Sequence, residues 1–204
     1  SASEDEIIKV WKELKSELLA SASEDGIVKV WNINKPEDKY IKTLNINKSA
    51  KPEDLQTYIP LMVLRDKFKF ELVHGLYNGN INVINPANNT QSEVNLEICD
   101  GSMSAVAQLH NGDLVFSCYN RNHPGNIIVW DMNTSKCKQV LKGHTDTVST
   151  LLVIDHKYLV SSSWDETIRV WDMESGGKCK QIMDTHKNVV MSLSLLNNGE
   201  LASA

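Results

Sequence analysis

One phrase recurs along this chain, and recurrence constrains the fold more tightly than any single residue. Ser161-Ser162-Ser163-Trp164-Asp165-Glu166-Thr167-Ile168-Arg169-Val170-Trp171-Asp172 is echoed by Ser21-Ala22-Ser23-Glu24-Asp25-Gly26-Ile27-Val28-Lys29-Val30-Trp31-Asn32. Ser1-Ala2-Ser3-Glu4-Asp5-Glu6-Ile7-Ile8-Lys9-Val10-Trp11 says it again. A short unit cannot bury its apolar face alone, so like units stack and share a core. Stacks of that kind make extended binding surfaces more readily than one catalytic cleft.

The second aromatic position of each unit gives the phase. It falls at Trp31, at Ile84 (where the Trp is replaced), at Trp130 and at Trp171, with spacings of 53, 46 and 41 residues. The last falls within the about 40–45 residues of a repeat built from four strands, and the other two exceed it. Within the best unit, Cys137–Leu141 reads as a first strand, Gly143–Asp146 as a turn and Val148–Ile154 as a buried strand. Tyr158–Ser163 follows as a third strand, and a tight hairpin at Asp165-Glu166 leads into Thr167–Trp171. Short apolar runs bounded by Gly, Asn and Asp, and rich in β-branched residues, are the signature of such strands. Asn111-Gly112 and Asn198-Gly199 supply favoured hairpin turns. No amphipathic helix stands out, and only Lys12–Leu19 has room for a helical turn or two. Residues 34–57 read as one strand, near Tyr40–Leu44, between polar loops. Four extra residues, Arg121–Pro124, lengthen one hairpin tip relative to the Asp165 hairpin.

Charge narrows the classes of partner. The formal net charge is −5, and the lysines at 42, 48, 51, 67 and 69 are interspersed with acids, so no basic face for nucleic acid is expected. No apolar run is long enough to span a membrane as a helix. The start lacks the basic-then-apolar layout of a secretory leader. None of the four cysteines, Cys99, Cys118, Cys137 and Cys179, forms a C-x-x-C pair, which argues against zinc. Cys137 and Cys179 hold matching repeat positions and read as small strand residues. Free thiols point to a reducing, intracellular setting, cytoplasmic or nuclear.

Gly143-His144 at the head of a unit and Trp171-Asp172 at its end resemble the WD-repeat family of β-propellers. The resemblance covers nearly the whole chain, most closely over 126–204 and least over 35–100. It implies an all-β fold of four-stranded antiparallel blades. It also implies a hydrogen-bonded tetrad of His, Ser or Thr, Asp and Trp in each blade, here His144, Ser161 or Ser163, Asp165 and Trp171. A buried carboxylate and a buried indole N–H both need partners, and one interlocked set supplies them. Other units are degraded. Cys99 stands in the His144 position, Asn78 and Asn120 stand in the Asp165 position, and His74 falls in the Ser161 position. The unit with Asp25 and Trp31 has no visible His. His110, His123 and His156 fall in turns and read as solvent-exposed.

On this reading residues 1–204 form one propeller domain of about four full blades and a partial one. The boundaries are a partial blade at 1–17, blades near 18–31, 40–84, 85–130 and 131–171, and a last blade at 172–204 that Ile7–Trp11 could complete. A fragment, or a ring with residues missing near 12–17, is favoured over a short closed ring, because exposed strand edges are a liability. The expected function is a non-catalytic scaffold for protein or peptide partners, with no cofactor, metal or small-molecule substrate. Family propellers bind through top-face loops. By alignment these carry Trp164, Thr147, Ser149, Tyr77, Val189, Met191, Glu24 and Glu4, with Ser102 and Ser104 beside them. Aromatic and Met side chains suit an interface. Two carboxylates without Arg or Lys suit a partner with apolar and basic anchors and not a phosphorylated one. Trp164 reads either as such an anchor or as a wedge between blades. The rivals are substrate recognition for a ubiquitin ligase, which an adjoining F-box segment would mark, and a hydrolase using His144 with Ser161 or Ser163.

Overall fold

A computed structural model describes residues 9–11, 18–22, 27–32, 42–45, 61–66, 69–75, 80–85, 90–96, 103–118 and 124–204. Every regular element among them is a strand, and all pairings are antiparallel. The first sheet joins β1 (Lys9–Trp11), β2 (Leu18–Ala22), β3 (Ile27–Asn32) and β4 (Lys42–Asn45) in that order. The second joins β5 (Leu61–Asp66), β6 (Lys69–Gly75), β7 (Ile81–Asn85) and β8 (Thr90–Val94). The third holds β9 (Met103–Gln108), β10 (Leu114–Cys118), β11 (Ile127–Asp131) and β12 (Lys136–Leu141). The fourth holds β13 (Val148–Val153), β14 (Tyr158–Ser163), β15 (Ile168–Asp172) and β16 (Lys178–Met183). A fifth pairs β17 (Leu193–Leu195) with β18 (Leu201–Ser203). Four-stranded antiparallel sheets of this size and order are propeller blades.

Register explains why the repeat has its phase. Leu19 faces Trp31, Leu72 faces Ile84, Leu114 faces Trp130 and Leu159 faces Trp171. Each of these four sheets thus pairs a leucine with the repeat's second aromatic position on the next strand, where Ile84 takes the place of a Trp. A bulge between Val129 and Trp130 recurs between Val170 and Trp171, and brings Cys137 and Cys179 opposite the two indoles. A bulge carried at the same place in two sheets turns the strand in the same sense in both.

The core lies between sheets. Val73, Ile81 and Leu96 of the second sheet region meet Met103, Val106, Phe116 and Trp130 of the third. Val115, Ile127, Val129 and Leu141 of the third meet Val148, Leu151, Leu159 and Trp171 of the fourth. Val160 and Ile168 of the fourth meet Val190 and Leu193. At about 25 cal/mol per Å² of apolar surface, these shared faces and not the strands alone hold the stack.

Several expectations need correction. The sheets are offset by one strand from the units read in the sequence. Lys136–Leu141, which opens the 131–171 unit, is the outer strand of the third sheet, and Lys42–Asn45, which opens the 40–84 unit, closes the first. Lys9–Trp11 pairs with Leu18–Ala22, so it sits in the first sheet and does not complete the last one. The segments 1–17 and 18–31 therefore contribute to one sheet. Leu18 and Leu19 open β2, so the possible helical turn at 12–19 does not reach them. Cys137 and Cys179 are free thiols, but Cys118 is disulfide-bonded, and the intracellular expectation loses that part of its support. Cys99 and the long hairpin tip at 121–123 lie outside the described residues.

Candidate functional site

The β14–β15 hairpin of the fourth sheet organises the richest polar cluster. His144, at the head of the loop into β13, has a fully buried side chain, and the Asp165 side chain is 6% exposed. His144 Nδ1 lies 2.8 Å from Asp165 Oδ2, and His144 Nε2 lies 2.7 Å from Ser161 Oγ. Trp171 Nε1–H donates to the same Ser161 Oγ at 2.8 Å. One proton arrangement satisfies the chain: the indole donates to Ser161, Ser161 to Nε2, and Nδ1–H to the carboxylate. That assignment follows from donor counting: the Asp165 carboxylate can only accept, so Nδ1 carries the hydrogen and Nε2 of the neutral ring accepts from Ser161.

Asp165 collects further donors. The Thr145 N–H reaches Oδ2 at 3.0 Å, and the Thr167 N–H and hydroxyl reach Oδ1 at 3.0 and 2.6 Å. Burial pushes the carboxyl up, but the bonds from His144, Thr167 and Thr145 outweigh it and hold the acid well below the usual carboxylate range. Ser163, the alternative to Ser161, is engaged differently. Its hydroxyl donates to the Asp146 carbonyl at 3.0 Å and accepts the Asp165 N–H at 3.1 Å. It makes no His144–Ser163 pair. Ser161, His144 and Asp165 do follow the order of a hydrolytic triad. Yet Ser161 is 0% exposed and its oxygen is capped by the indole, so no acyl carbon can approach it.

The other sheets fill the Ser161 position in different ways. Register places Ser21 and His74 there in the first and second sheets, but their side chains lie outside the described residues. In the third sheet the position is Phe116, whose ring packs 6.5 Å from that of Trp130. Trp130 Nε1 is buried and has no hydrogen-bond partner among the described residues. Trp171→Phe is therefore expected to cost about 1 kcal/mol more than Trp130→Phe, because only the former breaks a hydrogen bond. Paired urea denaturation of the two variants measures this, and equal losses would contradict it.

Sequence reasoning missed a second pair. His186 Nε2 lies 2.8 Å from Ser203 Oγ, repeating the His144–Ser161 contact 42 residues on for both partners. Thr185 in place of the Gly143 equivalent hid that signal.

The same hairpin frames an apolar patch. The Trp164 N–H donates to the Thr147 carbonyl at 2.9 Å, and the Val190 N–H to the Ser163 carbonyl at 3.1 Å. Ser149 Oγ–H donates to the Val190 carbonyl and pairs with Ser162 Oγ, and Thr150 Oγ1–H donates to the Met191 carbonyl at 3.2 Å. Val190 is thereby buried, while its neighbours Val189 and Met191 are turned outward beside Trp164; the three are 37%, 38% and 39% exposed. Thr147 differs from expectation. It is buried, and its carbonyl accepts the Trp164 N–H. Ser149 is half-buried and occupied in the frame. Tyr77, Glu24, Glu4 and Ser102 lie outside the described residues. Ser104, half-buried on β9, donates to the Ser117 carbonyl at 3.2 Å. Among the described residues, no group of three or more His, Cys, Asp or Glu side chains is placed to hold a metal ion. No helix among them is long and apolar enough to cross a membrane.

The family model described as "WD domain, G-beta repeat" matches residues 15–32 and 135–172. These two stretches carry the WD repeat. Curated relatives agree. Cell division control protein 4 of Saccharomyces cerevisiae is 38% identical over 77 residues, covering 37% of this chain and 10% of that protein. Autophagy-related protein 16 of Arabidopsis thaliana is 31% identical over 37% of this chain and 15% of its own length. Small ribosomal subunit protein RACK1 of Schizosaccharomyces pombe is 43% identical over 24% of this chain and 18% of its own. The WD-repeat stretch thus spans less than a fifth of each of these relatives. Their names belong to unrelated processes, and what they share with this chain is the repeat.

Proposed function

We propose that this WD-repeat chain is a non-catalytic scaffold that docks a protein or an extended peptide against the Trp164 end of its fourth and fifth sheets. The observation that carries the reading is the exposure of Trp164, Val189 and Met191 side by side on a hydrogen-bonded frame. Large apolar side chains held rigid beforehand cost little entropy when a partner covers them. None of the residues in the patch or its frame is basic; at its margins Glu166, two residues from Trp164, and Lys187, two residues from Val189, are both exposed. The partner that fits has an apolar anchor with Lys or Arg beside it, and neither a phosphate group nor a nucleic acid. Burial of Ser161 argues against hydrolysis. A role in substrate recognition for a ubiquitin ligase is a special case of docking. One relative, of Caenorhabditis elegans, is named F-box/WD repeat-containing protein sel-10 and is 31% identical over 37% of this chain.

Trp164→Ala tests the reading. Selection from a library of extended peptides should enrich apolar–basic sequences with the native chain. The variant should lose at least tenfold in affinity for them, as a central aromatic anchor does. Its stability should fall by about 1–3 kcal/mol, since a tryptophan 39% exposed still buries more than half of its side chain, and affinity is therefore compared under conditions where both proteins are folded. Unchanged affinity with a large loss of stability would make Trp164 a wedge and retire the docking role.

A further inference from the structure

Read singly, His110 and His156 are turn residues. His110 lies in the turn between β9 and β10, and His156 in the turn between β13 and β14. These turns belong to neighbouring sheets and lie at the end opposite Trp164, since β13 and β14 pair from Val148–Ser163 at one end to Val153–Leu159 at the other. Packing of β9 against β13 brings the two turns together. The ring centres are 4.7 Å apart and the planes cross at 77°.

That separation has a chemical meaning. An imidazole bound to a metal at about 2.1 Å has its ring centre about 3.2 Å from the ion, so two adjacent ligands have centres about 4.5–5.2 Å apart. The observed spacing falls inside this range. Burial does not account for the contact, because both rings are exposed and little apolar surface is removed. Asp155 stands next to His156. Its Oδ1 accepts the Lys157 and Tyr158 N–H groups at 2.8 and 2.7 Å. It can offset a dication without leaving its turn.

We propose that His110 and His156 form a two-imidazole site for a divalent transition metal ion of the Zn²⁺ or Ni²⁺ class, with water completing the coordination. Two nitrogen donors disfavour Mg²⁺ and Ca²⁺, which take oxygen. Bound there, the ion would clamp the third sheet to the fourth at the end away from the docking patch.

Calorimetric titration of the chain with zinc chloride and with nickel chloride tests the site, alongside thermal melts with and without metal. One ion per chain should bind, with a rise in melting temperature that grows with metal concentration. His110→Ala and His156→Ala, both in exposed turns, should each weaken binding at least tenfold and abolish the rise. His186→Ala, at the Ser203 pair before β17, should leave metal binding unchanged. Absence of binding, or native-like binding by the double variant, would overturn the proposal.

Discussion

His144→Ala is expected to lower the unfolding free energy by about 2–3 kcal/mol, because it strands partners on both sides of a buried ring. Asp165 loses the donor at Nδ1 and Ser161 loses the acceptor at Nε2. Denaturant midpoints of the native chain and the variant measure the loss. The pH dependence carries the sign of the carboxylate. Its native acidity is strengthened, so its contribution is complete above the ordinary range of an aspartic acid, about pH 4, and is lost as pH falls through the depressed native value. The variant removes a main cause of that depression and should show a shallower loss of stability on acidification. An unchanged midpoint and an unchanged acid limb would mean that the hydrogen-bonded chain contributes nothing to stability.

The second large effect is expected one sheet away. Gly125, just before β11, sits against the backbone of His144. A Cβ built there would lie 2.1 Å from the His144 carbonyl oxygen and 2.7 Å from its Cβ. A backbone atom cannot swing aside as a side chain can, so Gly125→Ala must push the third sheet away from the fourth. The expected cost is about 2–3 kcal/mol, typical of overpacking at a tight joint. Combined with His144→Ala, the two losses should fall short of their sum, since both loosen the same contact. Full additivity in a double-mutant cycle would show the two sites to be independent.

Much of the fold was legible because a strand's alternation and its flanking turns are local. The Leu159–Trp171 pairing follows from a short hairpin whose length sets the register. Trp171, Asp165 and His144 were legible because the best repeat keeps all three. Partner choice was less legible. Lys9-Val10-Trp11 repeats the words of Lys29-Val30-Trp31 yet forms the edge strand β1 while Lys29–Trp31 lies in the inner strand β3, because alternation specifies a face and not a neighbour. Thr147 was placed on the surface by alignment, whereas the fold buries it beside the Trp164 backbone. The approach of His110 to His156 depends on how two sheets meet, and no periodicity within either one encodes that.

The one-strand offset between repeat and sheet has a consequence for how such a chain can change length. Each covalent unit laces two neighbours together: β12 belongs to the third sheet while β13, β14 and β15, which follow it in the same unit, belong to the fourth. Excising the stretch 131–171 would bring β16 after β11, where it could take the place of β12. Duplicating that stretch would likewise add a complete set of strands. A gene can therefore gain or lose copies without leaving any layer short of its outer strand, provided the breakpoints keep the phase of Trp130 and Trp171.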